Sequence, residues 1–266
     1  MAYVGGLKQT PFGKTSRTDA WWLQSAIVFT VFTTFIVYST WAAYQGANYY
    51  WGPYLSPFYS PLLFGDGPHA LIAGQPAWWP EWLKFSPAVF ILWVPVGFRM
   101  TCYYYRGAYY KAFWGDPLNC TVGEPRKSYW GENSFPLIVQ NIHRYFLILA
   151  LVLVFFLSLD VWHALWFPAK SGGGEEFGIG LGTIILAINV VLLSCYTLGC
   201  HSLRHLVGGF SDILSGNPTR FKAYKCVTCL NKRHMLFAWL SLLWVGFTDA
   251  YVRLCAMEIV SDWRIF

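Results

Sequence analysis

The sequence predicts an all-α integral membrane bundle with about five transmembrane helices. Three observations predict it: only 12% of the 266 residues are charged, 56% are hydrophobic, and the hydrophobic residues gather in five long runs. A soluble domain carries about 25% charged residues, so this chain has too few charges to cover a surface in water. Aromatic residues add up to 20%, and Trp and Tyr collect where helices leave the bilayer.

The five apolar runs define the predicted helices. A helix that crosses the bilayer needs about 20 mostly apolar residues, and the runs that meet this length are 22–44, 86–106, 135–162, 178–200 and 235–257. The second run continues into TCYYYRGAYYKAFW, whose many Tyr residues and few charges predict a helix that projects beyond the lipid. Pro95 predicts a kink in that helix, which a membrane bundle tolerates. No linker divides the runs, so we interpret residues 1–266 as a single membrane domain.

Lysine and arginine are distributed unequally between the two sides of the predicted bundle. Fifteen of the 19 fall in the N-terminal segment, in the second-to-third and fourth-to-fifth connections, or at the helix ends beside them. Cytoplasmic connections carry the excess of positive charge, so the N-terminus is predicted to lie in the cytoplasm and the C-terminus outside. This bias accounts for the net charge of +6 without a nucleic-acid partner.

The first connection, residues 45–84, is long and rich in aromatic residues and prolines. The prolines exclude one long helix over this segment. Its aromatic side chains predict a cap that lies in the outer membrane interface. We favour the interpretation as an interfacial loop over that as a ligand site.

Cysteine and histidine gather at the predicted cytoplasmic ends of the helices. Six of the seven cysteines and four of the six histidines fall on that side. A single membrane cysteine is typical of packing, but thiolate and imidazole are also the common ligands of iron–sulfur centres, zinc and haem. The collection therefore indicates at least one redox centre, because four helix ends bring these side chains to similar depths: Cys102, His143, the segment 199–205 and His234.

Three charged residues lie within the outer halves of predicted spans. Asp249 and Arg253 are four residues apart and can pair on one helical face, and Asp160 lies near the end of the third span. Charges inside the membrane indicate function, such as proton movement. A structural ion pair that orients the outer half of the bundle is an equally good interpretation.

Several segments together resemble a known family. They are FRMTCYYYRGAYYKAFWGDPLNC (98–120), LIVQNIHRY (137–145), GCHSLRHLVGG (199–209), LNKRHMLFAW (230–239) and TDAYVR (248–253). This pattern resembles the membrane anchor of actinobacterial-type succinate dehydrogenase, a respiratory complex II anchor with one fused five-helix subunit. The resemblance covers roughly Pro95 to the C-terminus.

The resemblance implies partners and a location. A flavoprotein subunit would oxidise succinate, and an iron–sulfur subunit would carry the electrons to this chain. The anchor itself, a non-flavin subunit of the oxidoreductase complex, would dock the iron–sulfur subunit and pass electrons to menaquinone or ubiquinone in the bacterial inner (plasma) membrane. Weak candidates for contact with the quinone are Tyr104, Arg106 and Trp239, since these residue types supply hydrogen-bond donors and ring walls.

The family also implies a redox cofactor within the anchor. Its close members are associated with a membrane-embedded, Rieske-like [2Fe–2S] centre, which takes two cysteines on one iron and two histidines on the other. At most four of the matching positions can ligate, with Cys102 and Cys120 as first choices for the thiolates. The family often has a cysteine where this chain has Leu203. The metal-ligand candidates are Cys102, Cys120, Cys200, His143, His201, His205 and His234.

Other functions stay open at this point. An anchor of the same complex that holds haem b would use imidazoles alone, with His143, His205 and His234 as candidates, and would leave the thiols unexplained. A transporter would show internal symmetry or broken helices around a midplane site, and neither is evident in the sequence. A purely structural anchor without a redox centre is the third alternative.

Overall fold

The computed structural model of the chain describes residues 11–65, 69–106, 119–123, 133–135, 137–169 and 172–266. Within these ranges, four helical segments are long and apolar enough to cross a membrane: Leu23–Gln45, Leu137–His163, Leu181–Leu198 and His234–Ala256. Their backbone hydrogen bonds are satisfied inside each helix, as the hydrocarbon core requires. The predicted helical membrane bundle is thereby confirmed, and four of the five predicted spans are continuous helices.

Short helices and strands connect these spans. The helices are α1 (Leu23–Gln45), α2 (Trp93–Thr101), α3 (Tyr103–Arg106), α4 (His143–His163), α5 (Leu181–Leu198), α6 (His201–Gly208), α7 (Pro218–Asn231) and α8 (His234–Ala256), with 3-10 turns at Pro87–Phe90, Leu137–Ile142 and Leu214–Gly216. Antiparallel pairs join β1 (Tyr50–Trp51) to β2 (Tyr54–Leu55) and β5 (Trp166–Pro168) to β6 (Glu175–Phe177). A parallel pair joins β3 (Phe64–Gly65) to β4 (Ile72–Ala73).

The chain divides into two compact units. Unit 1 comprises Met1–Thr34 and Gly97–His143, and unit 2 comprises Phe35–Val96 and Arg144–Phe266. In unit 2 the strongest helix contact is between α5 and α8, where the Trp244 indole donates to the Ile185 carbonyl at 3.0 Å.

The second predicted span differs from the other four. In place of one helix over 86–106, the chain forms a 3-10 turn, then α2, then a break at Cys102, then α3. Pro95 lies in the first turn of α2, where a missing N–H leaves no helical hydrogen bond unmade, so the proline starts the helix instead of kinking it. Most of the Tyr-rich continuation that was predicted to project beyond the lipid, residues 107–114 of 101–114, lies outside the described residues.

The connection between α1 and α2 forms part of the core of unit 2. Leu55, Phe58, Tyr59 and Leu62 are fully buried and pack with Ala42 of α1. The sequence predicted an aromatic cap at the interface; the structure shows in addition that the middle of this segment packs inside the bundle. Burial of about four large apolar side chains stabilises this packing by several kcal/mol at roughly 1.5–3 kcal/mol each.

Two serines of this connection satisfy the membrane carboxylates. Ser56 donates a hydrogen bond to Asp249, and Ser60 donates to Asp160. Tyr38 adds a third donor, at 2.7 Å from Asp249 Oδ2. Arg253 completes the set with a 2.8 Å ion pair to Asp249. The predicted pairing on α8 is confirmed, and because the charges are fully hydrogen-bonded, the structural interpretation of this pair is favoured.

The C-terminal tail folds back over the first turn of α5. Asp262 accepts hydrogen bonds from the Gly182 amide at 2.9 Å, from the Tyr54 hydroxyl at 2.7 Å and from the Tyr251 hydroxyl at 2.6 Å. A carboxylate at a helix N-terminus satisfies an unpaired amide and the positive end of the helix dipole. The tail thus fastens α5, α8 and the β1–β2 hairpin together.

This close packing predicts a large effect of a single methyl group at Gly182. A Cβ added there would lie 2.4 Å from Tyr54 Cε2, and the tyrosine ring is fixed by its bond to Asp262. We expect Gly182→Ala to lower the free energy of unfolding by about 1–3 kcal/mol, measured as a lower melting temperature in detergent. Gly173→Ala is the control, since a Cβ there meets nothing within 4 Å. Equal stability of both variants would contradict this packing.

Candidate functional site

His143, a candidate ligand in unit 1, is held in one orientation. It begins α4 and is only 6% exposed. Its ring stacks on Phe98 with centroids 4.5 Å apart, and its Nδ1 lies 2.9 Å from Thr101 Oγ1. The Thr101 hydroxyl also donates to the Gly97 carbonyl at 2.7 Å. The stacked ring and the contact with Thr101 fix the orientation of the His143 imidazole, as a metal ligand requires.

Cys102 lies at the break between α2 and α3 of unit 1, in the residue that follows Thr101. It is 2% exposed. On the turns either side of it, Arg99 donates to the Tyr105 hydroxyl at 3.0 Å and places its guanidinium 5.8 Å from the centre of that ring. The Cys102 thiol is thus buried at a helix break, and its backbone amide donates to the Arg99 carbonyl at 3.1 Å.

Cys120 differs from Cys102 because it is exposed. The N-terminal segment pairs with the residues around it: Gly13 and Gly123 are joined by a 3.0 Å backbone bond, and Arg17 donates to the Cys120 carbonyl at 3.1 Å. Those contacts place the backbone of Cys120 but leave its thiol accessible. Burial therefore favours Cys102 over Cys120 as a thiolate ligand.

Cys200 occupies the tight junction between α5 and α6 in unit 2. Gly199 makes the junction, since a Cβ there would lie 2.8 Å from the Cys195 carbonyl oxygen. Cys200 is 1% exposed, caps α6, and its sulfur accepts from the Ser202 amide at 3.3 Å. Hydrogen bonds to sulfur are among the contacts that tune iron–sulfur centres. The Asn231 side chain also bonds the Gly199 carbonyl at 2.7 Å, which fixes the junction against the end of α7.

Three histidines of unit 2 are candidate ligands: His201 and His205 lie on α6 directly after this junction, and His234 begins α8. His234 is buried at the start of α8 and stacks on Tyr196 with centroids 4.9 Å apart. His201 lies edge-on to it at 6.2 Å. Desolvation, and then the charges of Arg204 and His205, lower the pKa of His201, so its imidazole is neutral at pH 7 as ligation requires. His201 and His205 are both exposed on α6, and the ring contacts place His201 close to His234.

The helical hairpin of α6 and α7 carries a basic surface. Asn217 caps α7 by accepting from the Arg220 amide at 3.0 Å, and Pro218 follows at the first helical position, both typical helix starts. Arg204 of α6 donates to the Tyr224 hydroxyl of α7 at 2.7 Å and fastens the two helices. The exposed cations on and after α7 are Lys222, Lys225, Lys232 and Arg233.

The three residues that the sequence predicts to contact quinone lie in different surroundings. Tyr104 is half-buried on α3 in unit 1, edge-on to Tyr105 at 5.8 Å. Trp239 is half-buried on α8 in unit 2. Arg106 ends α3, and its side chain lies outside the described residues. Their role stays a prediction.

Sequence reasoning missed the residues that support the ligand candidates. Arg99, Thr101 and Tyr105 surround Cys102 and His143, although none of them was singled out. A buried arginine beside a cysteine in a membrane segment is the signal that could have identified them. Among the described residues, no group of three or more His, Cys, Asp or Glu side chains is arranged as a metal site.

Comparisons with known proteins agree on one family. A profile described as actinobacterial succinate dehydrogenase subunit SdhC matches residues 23–258. Among solved structures, the chain is similar to one of the Mycobacterium smegmatis Sdh1 complex in the apo form, with 40% sequence identity and a TM-score of 0.84, over 97% of this chain and 96% of that chain. A search of curated proteins finds no match. The residues that the family profile matches, 23–258, include every candidate ligand.

Proposed function

Because the chain belongs to the family of actinobacterial succinate dehydrogenase subunit SdhC, we propose that it passes electrons from succinate oxidation to quinone. It is a multi-pass membrane subunit of succinate dehydrogenase. Its partners are the flavoprotein subunit, the iron–sulfur subunit, quinone and the lipid bilayer. We propose in addition that the chain itself holds a redox centre.

One observation supports the redox centre: each unit contains a buried candidate thiol and a candidate imidazole. In unit 1, the buried Cys102 follows Thr101 in the chain, and Thr101 Oγ1 contacts His143. In unit 2, the buried Cys200 directly precedes His201. This donor set fits a Rieske-like [2Fe–2S] centre, which takes thiolates and imidazoles, better than haem b, which takes imidazoles alone. The candidate ligands are Cys102, Cys120 and His143 in unit 1 and Cys200, His201, His205 and His234 in unit 2. Of these, Cys102, His143, Cys200 and His234 are buried, and Cys120, His201 and His205 are exposed.

Neighbouring residues hold two of the candidate ligands in place. Thr101 and Phe98 hold the His143 ring, and the Ser202 amide holds the Cys200 sulfur. Fixed ligands reduce the reorganisation that accompanies a change of charge. A bound [2Fe–2S] centre with imidazole ligands supplies one-electron chemistry at a higher potential than an all-cysteine centre, which suits reduction of a quinone.

The basic surface of α7 is proposed to dock the iron–sulfur subunit. We expect the double variant Lys222→Glu/Lys225→Glu to weaken association of that subunit by about tenfold, because like charges would face each other at the interface. Co-purification of the flavoprotein and iron–sulfur subunits with the chain at increasing salt measures the effect. Lys84→Glu, an exposed lysine in the connection before α2, is the control. An unchanged yield of partners would contradict docking at α7.

The orientation of the chain follows from the same surface. We propose that the N-terminus and α7 lie on the cytoplasmic side, because that side carries fifteen of the 19 Lys and Arg residues. A phosphatase that is active only outside the cytoplasm should be active when fused to Phe266 and inactive when fused before Met1. The opposite pattern, or equal activity at both termini, would overturn the orientation.

A further inference from the structure

One local motif occurs in both units, and we call it the helix-break motif. It consists of an aromatic residue, three residues, a cysteine, three residues and an arginine: FRMTCYYYR (98–106) in unit 1 and YTLGCHSLR (196–204) in unit 2. In each copy a helix ends before the cysteine, and a short helix, α3 or α6, begins directly after it. The Cys102 amide donates to the Arg99 carbonyl at 3.1 Å, and the Cys200 amide donates to the Thr197 carbonyl at 3.2 Å. The two copies therefore share a backbone turn as well as a spacing.

The aromatic residue of each motif stacks on the histidine that begins α4 or α8. In unit 1 the His143 ring lies on the Phe98 ring, with centroids 4.5 Å apart and planes within 7°. In unit 2 the His234 ring lies on the Tyr196 ring, with centroids 4.9 Å apart and planes within 13°. All four side chains are buried. Each motif thus gives a flat wall to the buried imidazole that follows it in the chain.

A flat wall restricts a rotation that histidine does not restrict by itself. The torsion that turns an imidazole about its Cβ–Cγ bond has broad minima, so the plane of a buried ring depends on its neighbours. A nearly parallel ring in contact with the imidazole face fixes that plane. Groups that orient a ligating histidine change metal affinity by about 10–100-fold. The stacked rings are therefore expected to strengthen metal binding without touching the metal.

The wall in unit 2 differs from the wall in unit 1 by one hydroxyl group. Tyr196 carries a phenol oxygen where Phe98 has a hydrogen atom. The stacking geometry is nevertheless closely similar in the two copies. The feature that both copies share is the aromatic ring, so the ring and not the hydroxyl is the part of Tyr196 that orients His234.

We propose that Phe98 and Tyr196 are positioning residues, which hold the His143 and His234 imidazoles in the orientation that the redox centre needs. The inference rests on the proposed function for the existence of that centre. It goes beyond the proposed function because it gives the two histidines the same support, from a motif that the chain uses twice. Phe98 has no atom that could ligate iron, so its role acts through His143.

Substitutions of Tyr196 in the assembled succinate dehydrogenase complex test the inference. The measurements are the electron paramagnetic resonance signal and the chelator concentration that removes iron in excess of that in the partner subunits. We expect Tyr196→Leu to shift the g-values of the signal and to lower that chelator concentration by about 10–100-fold. Tyr196→Phe keeps the ring and should keep both properties of the unmodified complex.

Two further variants make the comparison specific. Phe98→Leu removes the wall in unit 1 and should repeat the effect of Tyr196→Leu, so the inference stays testable if one of the two variants does not assemble. Tyr59→Leu is the matched control in unit 2, because Tyr59 is also buried and stacks within 8°, but on Tyr49 instead of a histidine. It should leave the signal and the chelator concentration unchanged.

The outcomes separate this inference from the proposed function. No excess iron in the unmodified complex would overturn the redox centre and the positioning role together. Excess iron that Tyr196→Leu and Phe98→Leu both retain, with an unchanged signal, would overturn the positioning role alone. An equal loss in Tyr196→Phe would assign the effect to the hydroxyl, and an equal loss in Tyr59→Leu would assign it to general destabilisation. Either result would also overturn the role of the stacked ring.

Discussion

Replacement of Arg253 by alanine is expected to destabilise unit 2 strongly. The guanidinium is 5% exposed and Asp249 is fully buried. Without its partner, the carboxylate would stay buried with only the Ser56 and Tyr38 hydroxyls as side-chain donors among the described residues. Removal of one member of a buried ion pair costs about 3–5 kcal/mol, which is a large part of the stability of an ordinary domain.

Arg253 also satisfies backbone groups at the end of α1. Its Nη2 donates to the Ala42 carbonyl at 2.8 Å, and its Nη1 donates to the Ala47 carbonyl at 3.1 Å. The last carbonyls of a helix have no partner within the helix. Loss of the guanidinium therefore leaves three acceptors without this donor, and we expect the connection after α1 to separate from α8.

A matched comparison distinguishes this network from an ordinary ion pair. Arg264 pairs with Glu176 at 2.7 Å, but both side chains are about one third exposed, and such a pair contributes about 0–1 kcal/mol. Arg253→Ala should lower the melting temperature of the purified complex far more than Arg264→Ala. Asp249→Asn should partly rescue Arg253→Ala because it removes the unpaired charge. Similar melting temperatures for the two arginine variants would contradict the structural role of Arg253.

Replacement of Cys102 by alanine is expected to abolish transfer of electrons from succinate to quinone while the subunit still assembles. Substitution of residues that merely support a ligand weakens metal binding by about 10–100-fold, so loss of a ligand should exceed that range. The buried thiol is small, and its truncation changes the packing of unit 1 little. Reduction of a water-soluble dye by the partner subunits should be unchanged.

The iron content of the complex gives a test that is independent of activity. The intact complex should contain more iron than its flavoprotein and iron–sulfur subunits account for, and Cys102→Ala should lose that excess together with its electron paramagnetic resonance signal. Cys255→Ala is the control, because Cys255 is equally buried but lies at the opposite end of α8 from His234. No excess iron in the intact complex would refute the redox centre, and excess iron that survives in Cys102→Ala would remove Cys102 from its ligands.

The spanning helices could be located from the sequence because length and apolarity are local properties. The run 22–44 became Leu23–Gln45, and the run 235–257 became His234–Ala256. The bilayer requires each such segment to satisfy its backbone internally, so no distant contact is needed to define it. The second run does not form one helix, because a 3-10 turn begins at Pro87, α2 begins separately with Pro95 in its first turn, and the helix breaks at Cys102.

The sequence also identified the residue types of the candidate site, but only the tertiary structure shows which of these side chains are buried. It predicted Cys102 and Cys120 as first choices for the thiolates, whereas burial separates Cys102 and Cys200 from the exposed Cys120. Exposure depends on which segments pack against a side chain, and the contact of residues 13–17 with 120–123 joins positions about 100 residues apart. Such contacts leave no periodic pattern in the sequence.

The charged residues of the membrane spans likewise have some contacts that the sequence predicts and others that only the tertiary structure shows. Four-residue spacing was enough to pair Asp249 with Arg253, because helical geometry fixes which residues are neighbours. The donors Ser56 and Ser60, which satisfy Asp249 and Asp160, come from a connection that the sequence presented as an interfacial loop. A buried carboxylate needs hydrogen-bond donors wherever the chain can supply them, and only the tertiary structure decides which segment reaches it.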